Sequence, residues 1–61
     1  MMHTPIFACP PRGTRIRARF DRQVHEVIVL RQDGEWSLLA THPAVRVPLA
    51  VHVRDIVEVL S

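Results

Sequence analysis

Three arginines alternate with apolar residues in TRIRARF, residues 14–20. A period of two puts Arg15, Arg17 and Arg19 on one side of an extended chain and Ile16, Ala18 and Phe20 on the other. Guanidinium groups in such a row can grip phosphates bidentately, which lysine cannot do. Together with Arg22, Arg31 and the only tryptophan, Trp36, they form a candidate nucleic-acid-binding set: charge for the backbone, an indole face for the bases. The charge is also uneven. Residues 12–31 carry six arginines against Asp21 and Glu26, whereas residues 32–61 carry two against four acids. Every basic side chain is arginine, a bias that a GC-rich coding sequence also produces.

Other chemistry is poorly supplied. The histidines His3, His25, His42 and His52 lack metal-finger spacing, and Cys9, the single cysteine, can form neither a thiolate site nor an internal disulfide. Ser37 and Ser61 have no recognisable base. With only Gly13 and Gly34 there is no phosphate-cradling loop. Asp21, Asp33 and Asp55 fall at turn positions, where carboxylates cap local amides. These residues imply no catalytic group, no metal, no cofactor and no small-molecule substrate. No apolar run approaches the roughly 18 residues of a membrane span, and the first residues do not read as a signal peptide. The expectation is a cytoplasmic, non-enzymatic protein without a membrane partner.

The elements that must position these groups read as strands. Residues 1–13, with Pro5, Pro10 and Pro11, are expected to form a flexible N-terminal arm, and residues 14–61 the domain. After TRIRARF come VHEVIVLRQ (24–32), EWSLLAT (35–41), VRVPLAVHV (45–53) and VEVL (57–60). Pro48 lacks an N–H, so its strand belongs at an edge or carries a bulge. A helical stripe of Leu49, Val53, Ile56 and Leu60 competes for the C-terminal part, but the valines there favour strands. The prediction is all-β: five short strands, a small barrel.

Asp33-Gly34 reads as a two-residue hairpin turn, which sets Val29 opposite Leu38, Arg31 opposite Trp36 and His25 opposite His42. One face then holds Val27, Val29, Trp36, Leu38 and Ala40. If Phe20 lies opposite His25, Ile16 and Ala18 join that face, Arg19 meets Glu26, and Trp36 helps to close the core. If Phe20 lies opposite Val24, the arginines join Trp36 instead. The first grouping is preferred because it sets apolar against apolar. It leaves Ile28, Leu30 and Leu39 on the outer face among arginine stems, where they are a candidate interface.

GTRIRARF, a hairpin around DGEW, a further strand, and then VRDIVEVL resemble the SH3-like barrel superfamily in its Tudor- or KOW-type layout. The resemblance covers residues 13–60 and implies a short helical turn near Arg54-Asp55-Ile56 before the last strand. Members bind peptides, methylated side chains, nucleic acid or one another, so the layout alone fixes no function. A methyl-reading cage needs more aromatics than Phe7, Phe20 and Trp36. Thr41-His42-Pro43 with Val45-Arg46-Val47 is similar to the pore segment of type II dihydrofolate reductases, but Arg46 and Pro48 stand where that family has Gln and Tyr.

A chain of 61 residues buries only about 60% of its unfolded surface and is marginal alone. A protein partner or a homo-oligomer is therefore the expected source of further burial. The functional expectation is a self-associating or protein-binding module, with nucleic-acid binding through the arginine strand as the alternative.

Overall fold

A computed structural model describes residues 7–61; His3 and the expected flexibility of residues 1–6 lie outside the described residues. The chain is all-β. Its strands are β1 (Arg15–Phe20), β2 (Gln23–Gln32), β3 (Ser37–His42), β4 (Val45–His52) and β5 (Ile56–Val59), with a 3-10 turn, Val53–Asp55, before β5. They form one antiparallel sheet in the order β4-β3-β2-β1-β5. Because β4 and β5 do not pair, the sheet is open, and among the described residues it has two free edges.

The core follows the alternation. Ile16 and Ala18 of β1, Val27 and Val29 of β2, Leu38 and Ala40 of β3, and Val51 of β4 are buried on one face. Phe7, Cys9, Phe20, Leu49 and Ile56 pack against them. Apolar therefore meets apolar, and Arg15, Arg17 and Arg19 lie outside. Through Val29 the registers differ from the expected ones by two residues; beyond the irregularity that follows, Arg31 and Gln32 differ by three. Phe20 pairs with Gln23 and Ala18 with His25; Val29 pairs with Ala40 and Ile28 with Thr41. A slip of two residues keeps every side chain on its face. That is why the core survives both errors.

The two hairpins also exchange character. The tight turn is Asp21-Arg22, with φ of 53° and 63°. Positive φ at both central residues gives a two-residue loop the twist of its flanking strands. Asp-Gly at 33–34 instead opens a longer loop. Asp33 N–H donates to the Ser37 carbonyl at 2.9 Å, leaving Gly34, at φ 88°, Glu35 and Trp36 outside the ladder. The β2–β3 register shifts between Val29 and Arg31, so Arg31 faces Leu39 rather than Trp36.

Pro48 sits on an edge strand, beside a shift in the β3–β4 register. The missing N–H requires one or the other, and the chain uses both. The described part of the arm is tied down: Gly13 N–H donates to the Val29 carbonyl at 2.8 Å and Thr14 N–H to the Pro11 carbonyl at 3.1 Å. The 3-10 turn is capped by His52, whose Nδ1 accepts the Arg54 N–H at 3.1 Å. Residues 49–60 are thus strand, 3-10 turn and strand, not a helix.

Candidate interaction surface

On the outer face two of the three strand arginines are paired. Arg15 Nη1 reaches Glu26 Oε2 at 3.4 Å, and Arg17 Nη1 reaches Glu58 Oε1 at 3.1 Å. Arg15 Nε also donates to Ser61 Oγ at 3.2 Å. All four charged side chains are about half exposed, so each pair contributes only about 0–1 kcal/mol. Arg19 lies opposite Val24, not Glu26; among the described residues Arg19 and Arg22 make no ion pair.

Trp36 joins neither the core nor the arginines. It is 44% exposed in the β2–β3 loop, held by its carbonyl, which accepts the Val53 N–H at 2.7 Å. Its expected place in the core is corrected by the longer loop. Arg31 does not stack on it; Arg31 Nη1 donates to the Gln32 carbonyl at 3.3 Å and lies 4.0 Å from Asp33 Oδ1. Trp36 and Arg19 are at opposite ends of the sheet. Val24, opposite Arg19, is eight residues along β2 from Gln32, about 27 Å at the usual rise.

At the Arg19 end the core closes on rings. Phe20 stacks on His25 with centroids 4.0 Å apart, and His42 meets both edge-on, at 5.8 Å from Phe20 and 5.0 Å from His25. The two histidines touch although they are not ladder partners. His25 Nε2 is buried and has no hydrogen-bond partner among the described residues, while His42 Nδ1 accepts the Ala44 N–H. No group of three or more potential metal ligands is assembled among the described residues. Burial pushes the Cys9 thiol above its ordinary range, which keeps it protonated and a poor nucleophile at neutral pH.

The expected interface trio is only partly open. Ile28, Leu30 and Leu39 are half-buried. Ile28 lies between Arg15 and Thr41, and Leu39 between Arg31 and Ala50; arginine stems beside them can cover aliphatic surface. Leu30 falls inside the register shift. The most exposed apolar groups lie elsewhere, with Val47 at 66%, Val59 at 55% and Val57 at 51%, on the two edge strands. Sequence reasoning missed them because their alternation matches that of a buried strand. What exposes them is that, among the described residues, no strand lies on the outer side of either edge.

The described residues enclose no pocket, and no described helix is long and apolar enough to cross a membrane. No family model, no curated protein and no solved structure matches the chain.

Proposed function

We propose that the chain is a non-catalytic interaction module, working in the cytoplasm, that binds a protein partner or a second copy of itself. One observation carries this reading: a small core bounded by two edge strands, each without an outer partner among the described residues, whose valines at 47, 57 and 59 remain exposed. Unpaired edges with apolar side chains are templates for pairing with another chain. The strand order and the 3-10 turn ahead of β5 support the SH3-like layout, whose members include binding modules. Sedimentation of the full chain from micromolar to millimolar concentration tests self-association, and the expected result is a rising mean mass. A fixed monomer leaves only the partner-binding form.

The shared face of Arg15, Arg17 and Arg19 supports a second reading, weak binding of single-stranded nucleic acid. Arg22 would extend that row; Arg31 and Trp36 sit too far along the sheet to join Arg19 and Arg22 in one short site. Affinity would then fall with salt by a log–log slope of about −0.7 per phosphate contact. Binding without salt dependence would remove this reading.

A further inference from the structure

The backbone hydrogen bonds show which groups the β5 edge presents. Val29 N–H donates to the Thr14 carbonyl, and Leu60 N–H donates to the Arg15 carbonyl. Successive residues of an antiparallel strand bond alternately to either side, so Thr14, Ile16 and Ala18 bond β2, and Arg15 and Arg17 bond the C-terminal strand. Val59 lies opposite Ile16; its own N–H and C=O therefore point to the open edge. Its side chain shares the core face with Ile16 yet is 55% exposed. A donor, an acceptor and an apolar side chain thus sit together on an edge without proline.

We infer that β5 pairs with β5 of a second copy, antiparallel, about a two-fold axis at Val59. This rests on the self-association reading above and names its surface. Charge chooses the register. Centring the pair on Glu58 would set Glu58 directly against its copy, and like charges in that position are destabilising. Centring it on Val59 sets Val59 against Val59 as a hydrogen-bonded pair and Glu58 against Leu60, leaving each Glu58 with its own Arg17. The two core faces then become continuous, and valine meets valine beside the buried Ile16. A two-fold contact of this kind closes on itself. Its remaining edges are both β4, each blunted by Pro48 and a register shift, so growth stops at two copies.

The test is sedimentation of the full chain against concentration, for the parent, Val59→Pro and Leu39→Glu. Proline at 59 removes only an outward N–H, so β5 should still pair with β1, which a melt at low concentration checks. If the melt falls, an N-methyl valine at 59, made by chemical synthesis, replaces the variant. The expected result is a dimer in the parent and Leu39→Glu, weakened at least tenfold in Val59→Pro. A dimer that survives Val59→Pro but is lost in Leu39→Glu overturns the β5 assignment while keeping self-association. A monomer in all three at millimolar concentration overturns both.

Discussion

The two free edges of this sheet are made of similar residues and behave as opposites. Both β4 and β5 are valine-rich and solvent-facing. In β4, Leu39 lies opposite Ala50. The Trp36 carbonyl bonds the β4 side and the Ser37 carbonyl the β2 side, so by alternation the Ala50 N–H and C=O point outward. Two residues earlier Pro48 has no N–H to offer, and the register breaks there. β5 is shorter, but Val59 presents both backbone groups. A small sheet protects one edge and leaves the other usable. The difference comes from one proline and one irregular step, not from hydrophobicity.

The strongest way to break the comparison is to remove the seat of each edge. Ile16 lies opposite Val59, and Leu38 opposite Val51; both are fully buried. Ile16→Ala and Leu38→Ala should each cost about 2–5 kcal/mol, enough to unfold a domain this size, as read by circular dichroism on heating. A small loss for either would mean that its edge strand is not anchored through the core. Next in size, Pro48→Val should return a donor to β4 and make both edges pair. Light scattering should then show open-ended growth where the parent stops at a dimer.

Arg22→Gly sharpens the comparison by leaving both edges alone. Arg22 holds φ 63°, a left-handed conformation that costs about 1–2 kcal/mol for a residue with a Cβ. Glycine avoids that cost but loses about 0.5–1 kcal/mol of chain entropy. The net gain should be up to about 1.5 kcal/mol of unfolding free energy, read as a higher denaturant midpoint, with an unchanged dimerisation constant. The smallest effect belongs to Glu58→Gln. It removes an exposed ion pair worth about 0.2–1 kcal/mol and the charge that selects the Val59-centred register. Stability should barely move, and the salt dependence of association should flatten.

How much of this was legible follows from which errors a period of two forgives. Alternation in Ile16, Ala18, Val27, Val29, Leu38 and Ala40 is enough to assign the core, because even slips leave faces intact. Pro48 announces an edge through a missing donor. Turn chemistry misled at the second hairpin: Asp33-Gly34 has the preferred composition, yet the two-residue turn formed at Asp21-Arg22. Long-range pairing set that choice, and local propensity cannot see it. Trp36 and Arg31 were misplaced for the same reason. The shift at Leu30 and the three-residue loop that follows take Trp36 out of the face it was assigned to. Val59 was hidden for another cause. Its exposure depends on β5 being last in the sheet, a fact of topology rather than of residues 56–59.

The most direct measurement is amide hydrogen exchange at Val59 and Ala50, followed by NMR at low and high protein concentration. Both N–H groups point away from the sheet, one on each edge. At low concentration both should exchange as open amides. At high concentration the Val59 amide should become protected while the Ala50 amide stays open. Protection of Ala50 in place of Val59, or of neither while the mean mass rises, would contradict the account.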